Sequence, residues 1–203
     1  MKKSLFAALL ICSLAFISAP AKAAVIDLDF SGNLFYANDV AYHNFSMAEA
    51  GQVTLFSSSY GYPDGGFDLA MALWYDATGA FIGYNDDGDH TDPSAISNAV
   101  VYSLGILDFY LNVDLEAGNY LVTINHGGHS PVAATAGGGF LSDGFANQHI
   151  STPIDADRNH YAFHITGVTT AHNPNPAPTP EPGTILLMGL GLAGLAAVRR
   201  FRK

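Results

Sequence analysis

The chain has 203 residues, a formal net charge of −10 and one cysteine. Its Lys and Arg residues sit at the two ends (Lys2, Lys3 and Lys22; Arg199, Arg200, Arg202 and Lys203), so that Arg158 alone faces every acidic residue except Glu181. Such a body repels nucleic acid and attracts cations, which excludes nucleic-acid binding. Because Cys12 is the only thiol, residues 24–203 can form no disulfide and offer no cysteine nucleophile or thiolate metal ligand.

Lys2 and Lys3 precede an apolar run over residues 5–17, and Ala21-Lys22-Ala23 places small residues where signal peptidase reads them. Residues 1–23 are therefore predicted to be a cleavable signal peptide. The alternative, an uncleaved anchor, is disfavoured by the shortness of the run. Seven strands are predicted in the body, at 40–47, 52–58, 68–76, 81–85, 107–115, 118–126 and 160–168. In the third of these, Leu69, Met71, Leu73 and Tyr75 alternate with Asp68, Ala70, Ala72 and Trp74, the period of a strand with one face inward. Ala50-Gly51, Pro63-Asp64-Gly65-Gly66, Ala77-Thr78-Gly79 and Ala117-Gly118-Asn119 supply the turns. Many short strands with glycine-rich turns predict an all-β fold, an antiparallel β-sandwich of jelly-roll-like form over residues 24–172. The Gly- and Ala-rich stretch at 131–148 reads as a long loop or an irregular edge segment.

Residues 173–183 form a proline-rich spacer, which composition makes stiff and extended. An apolar segment at 184–198 reads as one transmembrane helix, although it falls short of the ~20 residues that cross a bilayer comfortably. The basic tail at 199–203 should remain cytoplasmic, with the inner membrane holding the exported body. This order of Pro180-Glu181-Pro182, a glycine-containing apolar helix and a cluster with Arg199 and Arg200 resembles the PEP-CTERM sorting signal of Gram-negative bacteria. The resemblance implies recognition by an exosortase, removal of the tail and release to the cell surface or extracellular matrix, in company with exopolysaccharide. A plain anchor that is never cleaved is the alternative.

The body is similar to exported β-sandwiches related to the bacterial pre-peptidase C-terminal domain. The stretches that carry this are NDVAYHNFSMAEAGQVTLFSS, FDLAMALWYDATGAFIGYNDDG, LNVDLEAGNYLVTI, and FLSDGFANQ followed by YAFHITGV. The resemblance implies a non-catalytic accessory or adhesion module, some relatives of which bind calcium.

The densest acidic cluster is YNDDGDHTD at 84–92. Asn85, Asp86, Asp87, Asp89 and Asp92 offer hard oxygen ligands of the kind Ca²⁺ takes, and Asp64 and Asp68 can add to them. EF-hand spacing is absent, and a solvated acidic turn explains the same residues. HGGHS at 126–130 reads better as a hairpin end with two exposed imidazoles than as a zinc site. No nucleophile elbow, P-loop, zincin or dinucleotide motif is present, and no spacing singles out a triad. Trp74, Tyr60, Tyr62 and Tyr84 could stack on sugars, or could be ordinary sandwich aromatics. The sequence thus favours an exported, non-catalytic surface or matrix protein stabilised by Ca²⁺. A carbohydrate-binding module for matrix polysaccharide comes second, and a secreted hydrolase with an unrecognised site third.

Overall fold

The structure, a computed structural model, describes residues 23–60, 66–88 and 94–170. The signal peptide, the spacer, the apolar segment and the basic tail lie outside the described residues. Among the described residues, no helix is long and apolar enough to cross a membrane.

The described residues form ten strands: β1 (Ala24–Asn33), β2 (Val40–Met47), β3 (Gly51–Ser57), β4 (Leu69–Tyr75), β5 (Phe81–Asn85), β6 (Ser94–Ser97), β7 (Val100–Ser103), β8 (Tyr110–Leu115), β9 (Gly118–His126) and β10 (His160–Thr170). The first sheet has the order β1-β10-β3-β8 and the second β2-β9-β4-β5, while β6 and β7 pair only with each other. Every pairing is antiparallel. Apart from β4 and β5, which are joined as a hairpin, consecutive strands of the eight cross from sheet to sheet. This is the wiring of a jelly roll, with the β6–β7 hairpin inserted between its fifth and sixth strands.

Period-two alternation builds the core. Val53, Leu55, Leu115, Phe163 and Ile165 from the first sheet meet Phe45, Met47, Leu69, Met71, Leu73, Val122 and Ile124 from the second. The bounds of β2, β5 and β9 coincide with those predicted. β8 starts three residues later than predicted, because Asp108 closes a turn instead. Its buried carboxylate accepts from Ser57 Oγ at 2.7 Å, from the Gly105 N–H at 2.6 Å and from the Tyr60 N–H at 3.2 Å. β1 and the β6–β7 hairpin lie outside the predicted set.

Both sandwich sheets are covered on their outer faces. Over the second sheet runs the irregular segment 127–148. It contains 3₁₀ turns at Gly127–His129 and Leu141–Asp143 and a short helix, α1 (Val132–Ala136), closed by Gly137 at φ 71°. Ala133 and Phe145 from this segment bury Ala72, Trp74 and Leu121. Consequently β4 is buried on both faces from Leu69 to Trp74, where the sequence predicts one inward face. Over the first sheet lies the β6–β7 hairpin, whose Tyr102 ring packs 4.1 Å from that of His164 and 5.9 Å from that of Phe56.

β10 runs past its predicted end because Gly167 permits it. At φ 82° it sits where β1 shifts register between Ile26 and Leu28, and a Cβ there would collide with the Gln52 carbonyl oxygen. Gly167→Ala should therefore lower the stability measured by urea unfolding, by about 1–3 kcal/mol from backbone strain alone. An unchanged midpoint would show that the β1–β10 bulge relaxes freely.

Candidate metal centre

Asp68 immediately precedes β4, and Asp86 and Asp87 follow β5. Because β4 and β5 pair antiparallel with Met71 opposite Asn85, the start of one strand adjoins the end of the other. The ladder on the far side of β4 places His126 opposite Leu69, so the turn after β9 closes the third side. There the Gly127 N–H donates to the Asp68 carbonyl at 3.0 Å. A Cβ on Gly127 would lie 2.7 Å from Asp86 Oδ1 and 2.9 Å from Asp68 Oδ2. Glycine is what lets this backbone approach the two carboxylates.

Each of Asp68, Asp86 and Asp87 offers a carboxylate oxygen, and the three oxygens lie within 4.8 Å of one another. Asp68 and Asp86 are half-buried and Asp87 is exposed. Asp68 Oδ1 and Asp86 Oδ1 are shielded from solvent and have no hydrogen-bond partner. A buried oxygen acceptor left in this state is costly unless something satisfies it. Burial, and then the charge of Asp87, hold the Asp68 carboxyl above its ordinary range. Burial, then the charges of Asp68 and Asp87, do the same to Asp86 despite a hydrogen bond from Tyr84. His126 does not compensate, since burial and then His129 hold it below the ordinary imidazole range. Arg158, the body's one Lys or Arg, is exposed in the turn at 155–158, where its N–H donates to the Asp155 carbonyl.

The donor set fits a hard divalent cation. Three carboxylates supply up to six oxygens, the lower end of what Ca²⁺ takes, and water can complete the shell. Of the seven predicted ligands, the structure brings together Asp68, Asp86 and Asp87. Asp64, Asp89 and Asp92 lie outside the described residues. Asn85 does not join them. Its Oδ1 accepts from the Tyr110 N–H at 2.8 Å and its Nδ2 donates to the Asp87 carbonyl at 3.3 Å. Strand alternation sends Asn85 to the other face from Asp86.

Of the two readings open for the aromatic residues, Trp74 fits that of an ordinary sandwich aromatic. Trp74 is fully buried beneath α1, with Nε1 donating to Thr123 Oγ1 at 3.0 Å, so no face of its ring is open to a ligand. Tyr84 is half-buried and its hydroxyl lies 2.7 Å from Ser130 Oγ. Burial foremost pushes that phenol up to about 12. Tyr60 is partly exposed, and Tyr62 lies outside the described residues. The HGGHS imidazoles are likewise less open than predicted. His129 is buried, and His126 stacks on Phe67 with centroids 5.8 Å apart while its Nδ1 accepts from the Gly128 N–H at 3.2 Å. Among the described residues, Asp68, Asp86 and Asp87 are the one group of His, Cys, Asp or Glu whose ligand atoms converge. The contribution of Gly127 is missed by sequence reasoning, although the Gly-Gly after β9 is its signal.

Comparison with known proteins identifies the C-terminal segment. Residues 178–203 match the family described as the PEP-CTERM protein-sorting motif. The motif marks an exported protein that passes through the membrane to the cell surface, with an exosortase as its sorting partner. No curated protein matches the chain. Among solved structures, the pre-peptidase C-terminal domain of collagenase from Bacillus anthracis is similar over 74% of this chain and 98% of its own, at 10% identity and a TM-score of 0.34. A protein of Bacillus endospore appendages, described as disulfide-linked pili, is similar over 76% of this chain and 96% of its own, at 8% identity and a TM-score of 0.25.

Without a cation, the raised carboxyls of Asp68 and Asp86 make the folded state hold protons that the unfolded chain has already released. Stability then falls as pH rises from 3.8 through the raised values, and stays lost above them. In chelator at pH 7, Asp86→Asn should therefore unfold at higher urea than the unaltered protein, and the difference should vanish below pH 3.8. A variant less stable at pH 7 would mean that the cluster's charge is already compensated.

Proposed function

We propose that this chain is a surface or matrix module: an exported jelly roll delivered by its C-terminal sorting signal and stabilised outside the cell by Ca²⁺ bound at Asp68, Asp86 and Asp87. The observation that carries the metal is the pair of shielded, unpartnered oxygens on Asp68 and Asp86. A body with no disulfide and almost no Lys or Arg has few other means of fastening three strand ends. Calcium at this point would tie the start of β4, the end of β5 and the turn after β9. Association with exopolysaccharide remains part of the proposal, supported by the sorting motif's resemblance alone. A sugar-binding role centred on Trp74 loses its central ring to burial.

The metal is tested by thermal unfolding in EDTA and then in excess Ca²⁺. At a cation concentration about 100-fold above Kd, stabilisation is about 2.7 kcal/mol, which raises the midpoint of a domain this size by roughly 5–10 °C. The rise should disappear in the Asp86→Asn, Asp87→Asn double variant. A midpoint that ignores Ca²⁺ in the unaltered protein would make the cluster a solvated acidic turn.

Sorting is tested separately. Removal of residues 180–203 should shift the protein from the cell-associated to the soluble exported fraction without changing its unfolding midpoint. Identical fractionation of the full and shortened chains would remove the sorting signal's assigned role.

A further inference from the structure

The outward face of the first sheet holds a second polar cluster, one that neither the sorting signal nor the acidic site uses. His164 in β10 pairs with Asp29 on β1 and, on the other side, with Phe56 on β3. Ser58 lies two residues beyond Phe56. His164 Nδ1 is 2.6 Å from Asp29 Oδ1, and His164 Nε2 is 2.8 Å from Ser58 Oγ.

The order of these bonds is set from the Asp29 end. Ser97 Oγ donates to Asp29 Oδ1 and Asn98 Nδ2 to Asp29 Oδ2, both at 2.7 Å. Both donors come from the β6–β7 hairpin, Ser97 from the end of β6 and Asn98 from the turn, where it is held at φ 48°. Burial pushes the Asp29 carboxyl up, but hydrogen bonds from His164, Ser97 and Asn98 outweigh it and bring the carboxyl below its ordinary value. An ionised Asp29 draws the Nδ1 proton toward itself. In the neutral ring Nε2 is then the acceptor, and Ser58 Oγ donates to it. This is the hydrogen-bond sequence that general-base activation of a hydroxyl requires.

Ser57 shows what a fastening serine does in the same stretch. Its hydroxyl donates to Asp108 and accepts from the Phe109 N–H, tying together the loop it belongs to. The Ser58 hydroxyl instead meets an imidazole flanked by Phe56 and Tyr102.

We propose that Ser58 is a nucleophile activated by His164 and Asp29, and that it takes an acyl group from small carboxylic esters. Ser58 Oγ attacks the carbonyl carbon as its proton passes to His164 Nε2. The tetrahedral adduct then breaks its bond to the alcohol oxygen, and the alcohol leaves with that proton. Water adds to the Ser58 ester with His164 again as base, which releases the carboxylic acid and restores the serine. Because Ser58 is only 6% exposed, the donor proposed is the smallest common acyl group, acetyl. The side chain of Asp29, 41% exposed, is the open end of the relay. This chemistry goes beyond the surface-module reading and does not rest on it.

The test is to incubate the purified full chain with p-nitrophenyl acetate, follow nitrophenolate release and map acetyl adducts by peptide mass spectrometry. The expected result is an acetyl group on Ser58. Ser58→Ala should abolish both the adduct and the protein-dependent release, with unchanged circular dichroism. His164→Gln should slow acetylation roughly 100-fold or more, the ordinary contribution of a positioned general base. Asp29→Asn keeps the shape of its side chain and should slow it at least roughly tenfold, so the relay is tested even where Ser58→Ala or His164→Gln fails to fold. No adduct on Ser58 in the unaltered protein, or one that forms as fast in Asp29→Asn, would overturn the proposal and make the relay a structural clamp.

Discussion

A strand that buries six consecutive residues needs apolar neighbours on both sides of its sheet. In β4, Leu69, Met71 and Leu73 find theirs in the sandwich core, and Ala70, Ala72 and Trp74 must find theirs outside it. The segment 127–148 meets that need, with Ala133 and Phe145 lying over Trp74. To start across the sheet it has to turn sharply after β9, and the turn brings Gly127 against Asp68 and Asp86. The acidic cluster is thus tied to the burial of Trp74: the same turn that starts the cover closes the third side of the cluster.

The other sheet answers a different demand. Its outer face carries Asp29, His164 and Ser58, polar groups that tolerate burial only when each has a partner. The β6–β7 hairpin brings Ser97 and Asn98 to Asp29 and places Tyr102 against the imidazole. One cover is therefore apolar and seals a tryptophan, while the other is half polar and completes a hydrogen-bond chain. Each sheet of the jelly roll carries its distinctive chemistry beneath or beside its own cover, away from the shared core.

The sandwich was legible because alternation and turn residues are local signals. β2 ends before Ala48-Glu49-Ala50-Gly51, β5 at Asn85 before Asp86-Asp87-Gly88, and β9 before Gly127-Gly128. The hairpin was not, because its left-handed turn is built from Asn98 and Ala99, without the glycine that normally announces one. β1 alternates Leu28 and Phe30 with Asp27, Asp29 and Ser31, but it directly follows the predicted cleavage site and its acids obscure the pattern. Trp74 looked available because nothing within its own strand says that residues sixty or so further on will fold over it. In the acidic cluster the density of Asp is legible in the sequence, but which residues face together is not, and register alone turns Asn85 away. The Ser58–His164–Asp29 chain joins residues 106 and 135 positions apart, and no spacing in a sequence expresses the order β1-β10-β3.

The pairing of Ala24 with Thr170 puts the first and last strand residues of the body side by side, with Thr170 Oγ1 donating to the Ala24 carbonyl at 3.3 Å. β10 is not an edge strand, because β1 flanks it on one side and β3 on the other. If the body were tethered through its C-terminus, a pull would run along an interior strand, where hydrogen bonds to both β1 and β3 would resist it. Drag at the cell surface would have to slide β10 against both neighbours before the jelly roll opened, whereas a tether at an edge strand would peel the sheet one bond at a time.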